Sequence, residues 1–289
     1  MNQKIIILSL FICLFSVQLV AQDLSIRFKA GLSYSLLLGD KEQVNGMDVE
    51  DVSLTNGFHV GLGLGYPLSD RFGLRAMLLY SQRGLEYKYD GSSYFVFDQI
   101  NGDVLLSLGG NRKTTLEVTN SYLEIPITAY ARLGRVELEG GFYAAVLVSS
   151  RGSGELTYSN TSANLDPVSI ALDYNYYSDS YNRPTDVDVF NRTVNGIQGT
   201  VPQTIGAYYE SIDNDERRFN LFDFGLTASV AFYLNQGLYL GVGVDYGLLD
   251  ATNNNQDISA VSLDPDRNFI LREDTDQNVT LKASVGFNF

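Results

Sequence analysis

Few residues of this 289-residue chain are suited to acid–base or nucleophilic chemistry. The sequence holds one histidine, His59, and one cysteine, Cys13. A serine hydrolase of the usual kind needs a base beside its nucleophile, and a zinc site needs several nitrogen or sulfur ligands. His59 lies mid-segment on a side occupied by glycines, so we expect it to fill space. We therefore predict no catalytic residue, no cofactor and no metal site.

Six aspartates near the carboxyl end are the remaining candidates for metal ligands. Their carboxylates suit Ca²⁺, but their spacing does not reproduce the ligand loop of a dedicated calcium site. We expect no more than loose cation binding there. The residues are Asp250, Asp257, Asp264, Asp266, Asp274 and Asp276.

Ten charged residues form a more informative set, because each continues the polar phase of a segment in which apolar residues recur at every second position; Arg83 directly follows its segment. Five are cationic and five anionic, so together they would cancel. Charges that face the inside of a protein must be paired and hydrogen-bonded. We predict a structural ion-pair cluster, with a proton or ion path as the alternative. The residues are Arg27, Lys29, Arg75, Arg83 and Lys282, with Glu124, Glu137, Glu139, Asp223 and Asp245.

Eight alternating segments must position these charges. The connections between them alternate in length: 67–70, 132–135 and 234–237 are short, whereas 38–56, 83–120, 150–218 and 249–278 are long. Short turns at one end and long loops at the other are typical of outer-membrane β-barrels. We predict an all-β fold, an eight-stranded antiparallel up-and-down transmembrane β-barrel with long extracellular loops. The segments are 26–37, 57–66, 71–82, 121–131, 136–149, 219–233, 238–248 and 279–289.

The alternation assigns bulky apolar side chains to lipid and small or polar side chains to the lumen. In the second segment Phe58, Leu62 and Tyr66 face outward, whereas Gly57 and Gly61 face inward. A soluble sandwich would also alternate, but its exposed face would carry more lysine, glutamate and threonine. The pattern therefore favours a location in the cell outer membrane.

The first residues predict an export signal. Lys4 precedes the apolar run 5–17, and Ala21 is a small residue at a suitable cleavage point. We predict a signal peptide over 1–21 and an outer-membrane barrel domain over 22–289, which contains no cysteine. The formal net charge of −14 argues against nucleic acid as a partner. The expected partners are outer-membrane lipid and lipopolysaccharide.

The long connection 150–218 is predicted as an extracellular loop insertion and as the candidate binding loop, since binding tends to be carried by loops on a rigid scaffold. Its tyrosines lie among asparagine, serine and aspartate, a composition found in recognition surfaces. Alternation over 165–177 predicts hairpins that extend the wall above the membrane. An ordered cap with no binding role is the alternative. The tyrosines are Tyr158, Tyr174, Tyr176, Tyr177, Tyr181, Tyr208 and Tyr209.

Four short motifs resemble a known family. Residues 78–84 read LLYSQRG, 122–126 read YLEIP, 222–226 read FDFGL, and the chain ends on 287–289, FNF. In this order they resemble the Bacteroidetes outer-membrane β-barrel proteins of the PorT-like group. We expect Gly84 to take a positive φ as the third strand leaves the wall. We expect Pro126 to occupy a position such as a bulge, where a ladder bond is dispensable.

Three functional hypotheses follow from the sequence. The first is a non-enzymatic surface barrel with a structural or binding role through its extracellular loops. The second is an accessory subunit of a secretion or envelope machine with a protein partner in the envelope, which the resemblance implies because PorT is associated with protein secretion. The third is a narrow channel, which requires a continuous water path past the lumen charges.

Overall fold

A computed structural model describes residues 24–99, 104–179, 189–194, 197–211 and 216–289. The predicted signal peptide over 1–21 and Tyr181 lie outside the described residues. No described helix is long and apolar enough to span a membrane. One 3-10 helix covers Thr161–Ala163. The strands in chain order are β1 (Ser25–Leu38), β2 (Gln43–Val44), β3 (Met47–Asp48), β4 (Glu50–Ser53), β5 (Thr55–Pro67), β6 (Phe72–Gln99), β7 (Val104–Leu133), β8 (Val136–Asn160), β9 (Leu165–Asn175), β10 (Val189–Val194), β11 (Ile197–Pro202), β12 (Thr204–Ile205), β13 (Phe222–Tyr233), β14 (Leu238–Gly247), β15 (Ile258–Leu263), β16 (Phe269–Leu271) and β17 (Gln277–Asn288).

Eight of these strands close into the predicted up-and-down barrel. Each wall strand pairs antiparallel with the next, in the order β1, β5, β6, β7, β8, β13, β14 and β17. The last strand then returns to the first, with Arg27 opposite Asn288. The turns between β5 and β6, β7 and β8, and β13 and β14 are short and lie at one end. We call the opposite end, where the long connections gather, the upper end.

The outer surface of the wall is apolar. Leu62, Ile127 and Val242 are 60%, 61% and 64% exposed, on three different strands. Tyr66 and Tyr246 are also exposed near strand ends, where an amphipathic ring suits a membrane interface. An apolar surface of this extent is unfavourable in water and matches the lipid-facing band of a transmembrane barrel.

The connection predicted over 83–120 is wrong, because most of it is strand. β6 continues to Gln99 and β7 begins at Val104, and the two pair along their length up to Asp98 opposite Val104. Beyond the membrane the outward positions are the charged residues Glu86 and Lys88. The apolar alternation that marks a lipid-facing strand therefore stops while the strand itself continues.

The upper extension also includes the hairpins predicted over 165–177. β8 runs on to Asn160, and β9 pairs antiparallel with it from Leu165 to Asn175. Phe95 of β6 packs there against Tyr158 and Tyr209, at ring-centroid distances of 5.6 and 6.3 Å. This aromatic core fastens the segment that carries Tyr209 to the extended wall.

Two local expectations from the motifs need correction. Gly84 does not have a positive φ; it lies inside β6, where a side chain would collide with the carbonyl oxygen of Val118 on β7. Ser35 also bonds both backbone groups of Gly84. Pro126 interrupts the ladder with β6, as expected of a position where a ladder bond is dispensable, but it does so in an unshifted register. The bulge is elsewhere: the register shift of β7 lies against β8 after Ser121. Gly84 is therefore required by the close approach of β7, and the ladder is interrupted at Pro126 because proline has no N–H.

Candidate functional site

Arg83 is the centre of an ion-pair network in the lumen. Its guanidinium lies 2.5 Å from Glu124, 2.7 Å from Asp223 and 3.7 Å from Asp245. Lys282 completes the network, at 2.8 Å from Glu124 and 2.5 Å from Asp245. All five side chains are almost fully buried. Since they come from β6, β7, β13, β14 and β17, the network joins five wall strands across the lumen.

A second network lies nearer the short turns. Arg27 and Arg75 contact the same carboxylate, Glu137, at 2.8 and 3.0 Å, and both also pair with Glu139. Arg27 donates in addition to the hydroxyl of Tyr239 at 2.6 Å. These contacts join β1, β6 and β8, with β14 attached through Tyr239.

Lys29 lies between the two networks and forms no ion pair with a described residue. It lines a cavity of about 20 Å³ with Glu124, Glu139 and Lys282, which has room for about one water molecule. The upper network carries two cations and three carboxylates, and the lower one two and two. Together with Lys29, the ten lumen charges are five cations and five carboxylates. The lumen is thus filled by a neutral set of side chains.

A chamber of about 250 Å³ lies above this filled lumen. Its walls are the upper end of β1, the extended parts of β6 and β7, the end of β9, and the connections between the wall strands. The lining nearest the lumen is apolar and buried, formed by Leu37, Leu85, Leu116 and Phe219. A concave site with an apolar lining and a few convergent polar groups is typical of small-molecule binding.

Three ion pairs line the chamber and tie its walls together. They are Arg112–Glu210 at 2.8 Å, Arg218–Asp257 at 2.7 Å and Arg272–Glu50 at 3.0 Å. With Lys41, Asp40 and Asp276, the described lining has four cations and five carboxylates, a formal net charge of −1 (4 − 5). Because each arginine has its own carboxylate, the chamber is close to electrically balanced.

Three tyrosine hydroxyls in the lining make no hydrogen bond with any described residue. They belong to Tyr87, Tyr174 and Tyr176. Burial raises the pKa of each hydroxyl above its usual value, so each stays neutral and can both donate and accept. Arg112 bonds Glu210 through Nη1 and leaves Nη2 without a partner in the described part of the chain. These groups are available to a ligand.

The structure separates the seven tyrosines predicted for the binding loop. Tyr174, Tyr176 and Tyr208 line the chamber, whereas Tyr158 and Tyr209 belong to the aromatic core around β6. Tyr158 lies on β8 and Tyr174 on β9, and the other three tyrosines lie outside the strands, so the division depends on how these segments pack together.

The remaining two tyrosines do not reach the chamber in the described structure. Tyr177 is 37% exposed, and the guanidinium carbon of Arg217 lies 4.1 Å from its ring centroid. Tyr181 lies outside the described residues. Tyr177 is therefore a useful reference for a tyrosine that borders the chamber without lining it.

Sequence reasoning missed several chamber residues. Tyr87 and Arg112 lie on the stretch predicted as the connection 83–120, and Arg218 ends the connection 150–218. A signal was present: from Leu85 onward, large residues continue to alternate with charged ones in the phase of the third strand. Following the spacing, and disregarding the change from apolar to charged outward residues, would have extended that strand.

Three of the six aspartates considered as metal ligands converge beside the chamber. The carboxylates of Asp257, Asp274 and Asp276 lie within 4.8 Å of one another. Arg218 pairs with Asp257 at 2.7 Å and Arg272 with Asp274 at 2.6 Å, so two of the three are engaged by arginines. Burial raises the pKa of Asp276 to about 6. The other three residues, Asp250, Asp264 and Asp266, are not part of this cluster.

His59 is buried in the lumen between two serines. Its ring nitrogens lie 3.0 Å from the Ser33 hydroxyl and 2.9 Å from the Ser284 hydroxyl. It lines neither the chamber nor the small lumen cavity. Among the described residues no carboxylate bonds the ring, so the base-orienting part of a catalytic triad is not formed here.

Comparison with known proteins places this architecture in a family. Residues 20–253 match the family model described as outer membrane protein beta-barrel domain. No curated protein matches the sequence. Among solved structures the chain is similar to Ail, the attachment invasion locus protein of Yersinia pestis, in complex with the heparin analogue sucrose octasulfate, at 10% identity and a TM-score of 0.36, over 93% of this chain and 100% of that one.

Two further solved structures are similar at the same low level. OprG, an outer membrane protein of Pseudomonas aeruginosa, has 10% identity and a TM-score of 0.34, over 92% of this chain and 95% of that chain. The outer membrane protease OmpT of Escherichia coli has 9% identity and a TM-score of 0.28, over 93% and 97%. Likenesses of this size have no bearing on function.

Proposed function

The chain belongs to the outer membrane protein β-barrel domain family, and from this premise we propose that it is a non-enzymatic barrel of the outer membrane that binds a small molecule at its extracellular end. The observation that carries the proposal is the 250 Å³ chamber above the lumen. Its walls are strands that continue beyond the membrane, a rigid support of the kind a binding site requires. The ion-pair cluster beneath it is structural and closes the lumen.

The position of His59 supports a role without catalysis. A general base must reach the proton it removes from a bound substrate. His59 is 1% exposed, lies among lumen side chains and does not line the chamber. In the chamber, the arginines pair with carboxylates and the neutral tyrosine hydroxyls are available to a ligand. This arrangement is suited to recognition.

Membership of the Bacteroidetes PorT-like group remains our finer proposal, supported by the four motifs. Those motifs lie on the membrane wall: residues 78–84 on β6, 122–126 on β7, 222–226 at the start of β13 and 287–289 at the end of β17. None of them lines the chamber. They belong to the wall, so they support the family resemblance and not a particular partner.

The proposal is tested by closing the chamber. Ala207 lines it, so Ala207→Trp fills part of the space, whereas Ala171→Trp on the exposed side of β9 is the matched control. Each tagged protein is purified from native outer membranes, and bound small molecules are identified by native mass spectrometry. We expect a bound molecule with the wild type and the control and not with Ala207→Trp. Equal recovery from all three proteins, or from none, would contradict the proposal.

The same preparations, gently cross-linked before extraction, distinguish the accessory-subunit alternative from small-molecule binding. A stoichiometric protein partner that is retained by Ala207→Trp would favour that alternative over binding in the chamber. The narrow-channel alternative is tested by single-channel recording in planar bilayers. We expect no stable conductance, since paired side chains fill the lumen.

A further inference from the structure

The unused hydrogen-bonding groups of the chamber indicate the chemistry of its ligand. The hydroxyls of Tyr87, Tyr174 and Tyr176 and the Nη2 of Arg112 have no partner among the described residues. None of these four atoms is among the buried side-chain atoms without a partner, so they face the open space of the chamber, where hydroxyls can donate and accept and a guanidinium can donate to a ligand. Three neutral hydroxyls and one guanidinium group therefore fit a molecule that offers several donors and acceptors on one side.

The charges of the chamber argue against a ligand with a net charge. Arg112, Arg218 and Arg272 already lie 2.7–3.0 Å from carboxylates of the lining. An anion would have to compete with those carboxylates, and the described residues of the lining are formally −1. A cation at Glu50, Glu210 or Asp257 would have to displace an arginine. The other two carboxylates of the described lining are Asp40, which is exposed, and Asp276, which accepts from the Thr252 hydroxyl. An uncharged molecule meets neither cost.

The buried apolar part of the lining indicates the chemistry of the other side of the ligand. Leu37, Leu85, Leu116 and Phe219 form a surface without hydrogen-bonding side chains, which favours a ring face or an apolar substituent. An engineered cavity of about 150 Å³ holds benzene. The 250 Å³ of this chamber therefore admits a molecule somewhat larger than one six-membered ring.

We propose that the chamber binds an uncharged, hydroxyl-rich ring compound with an apolar face, the chemistry of a small glycoside. Hydroxyls of the sugar would bond Tyr87, Tyr174 and Arg112, and its apolar face or aglycone would cover the side formed by Leu85 and Leu116. This inference rests on the proposed function and specifies the ligand class of the same site.

The test uses probes that differ in one charge. The full chain is reconstituted in nanodiscs free of glycolipids and sugar-headed detergents, and titrated calorimetrically with 4-nitrophenyl glucoside, galactoside, mannoside and N-acetylglucosaminide. We expect at least one neutral glycoside to bind. The corresponding 4-nitrophenyl uronide, in which a carboxylate replaces the C6 hydroxymethyl group, should bind at least about tenfold more weakly. Tighter binding of the uronide would overturn the inference.

Two variants test whether the tyrosine hydroxyls bind the glycoside. Tyr87→Phe combined with Tyr174→Phe keeps both rings and removes two hydroxyls, so the neutral glycoside should bind at least about tenfold more weakly. Tyr177→Phe removes a hydroxyl outside the chamber and should leave binding unchanged. Unchanged binding by the double variant would overturn the assignment.

Failure of the ligand class and failure of the proposed function give different results. If a native small molecule is retained by the wild type and lost from Ala207→Trp, while none of the neutral glycosides binds, the proposed function stands and the glycoside chemistry is wrong. If neither the native molecule nor any probe binds, the proposed function is wrong as well.

Discussion

At the scale of single residues, Arg83 pairs with three carboxylates, more than any other described cation of the lumen. It is surrounded by Glu124, Asp223 and Asp245, and its guanidinium carbon lies 4.5 Å from the ring centroid of Tyr143. Replacing a buried ion pair as a whole can be neutral, but removing one partner leaves the other charge uncompensated. Removing Arg83 would leave three carboxylates with Lys282 as their main remaining counter-ion.

The first prediction concerns this imbalance. Arg83→Met should lower the free energy of unfolding by about 3–5 kcal/mol, because buried carboxylates lose their partner. Urea unfolding in lipid vesicles, followed by circular dichroism, measures the change. Lys88→Met is the control: its pair with Glu86 is exposed, with side chains 49% and 36% accessible, so we expect less than about 1 kcal/mol. Equal effects of the two substitutions would contradict the structural role of the cluster.

A second prediction concerns Asp276 beside the chamber. Burial raises its pKa from 3.8 to about 6, so the folded state binds the proton more tightly than the unfolded state does. The resulting stabilisation is complete below about pH 4 and is lost as the pH rises through 6. Hydrogen exchange of the segment 248–276, corrected for intrinsic rates, should therefore show protection that falls between pH 4 and 6.5.

The Asn variant provides the control for that titration. Asp276→Asn keeps the shape of the side chain and its contact with Thr252 but cannot ionise, so protection of 248–276 should no longer change across this range. Protection that rises with pH in the wild type would show that the sign is wrong. The same slope in wild type and variant would assign the titration to another group.

At the scale of elements, the extended strands make the chamber. β6, β7 and β8 are 28, 30 and 25 residues long, whereas β1 has 14. Their upper parts carry Tyr87 and Arg112 and are covered by the segment that carries Tyr208 and Glu210. That segment is held down by the aromatic core, and Tyr209 donates to the carbonyl of Val96 at 3.1 Å.

The third prediction tests this attachment. Phe95 is completely buried, so Phe95→Ala should cost about 3–5 kcal/mol of local stability. We expect faster hydrogen exchange and proteolysis in 197–211, with the membrane wall unchanged. Phe72→Ala is the control, since Phe72 is 55% exposed on the outer face. If both variants leave 197–211 equally protected, the aromatic core does not hold the segment in place.

The strands also show which parts of the fold can be predicted from the sequence. The eight membrane strands were predictable because lipid outside and side chains inside impose strict alternation on residues such as Leu62 and Val242. Above the membrane the outward face meets water, and Glu86 and Lys88 replace apolar residues, so the continuation of β6 was missed. Tyr174 and Tyr176 were identified by composition, but their separation from Tyr209 depends on strand pairing that composition does not contain.

At the scale of the whole molecule, the barrel is divided into a closed lumen and an open upper chamber. The lumen charges join strands around the wall and leave a cavity of about 20 Å³. The chamber lies above them, on the side of the long connections. Because the protein is an outer-membrane barrel, these long connections are extracellular and the short turns are periplasmic. The proposed binding site and the ion-pair cluster thus occupy different levels of one wall.

The orientation of the chamber is tested most directly by cysteine labelling in intact cells. The region 22–289 has no cysteine, so single substitutions give unambiguous sites: Ala207→Cys in the chamber, Asn255→Cys on an exposed long connection and Asp70→Cys on a short turn. A membrane-impermeant maleimide should label Ala207→Cys and Asn255→Cys from outside, and Asp70→Cys only after the outer membrane is permeabilised. Labelling of Asp70→Cys in intact cells, with Ala207→Cys protected until permeabilisation, would contradict an extracellular binding chamber.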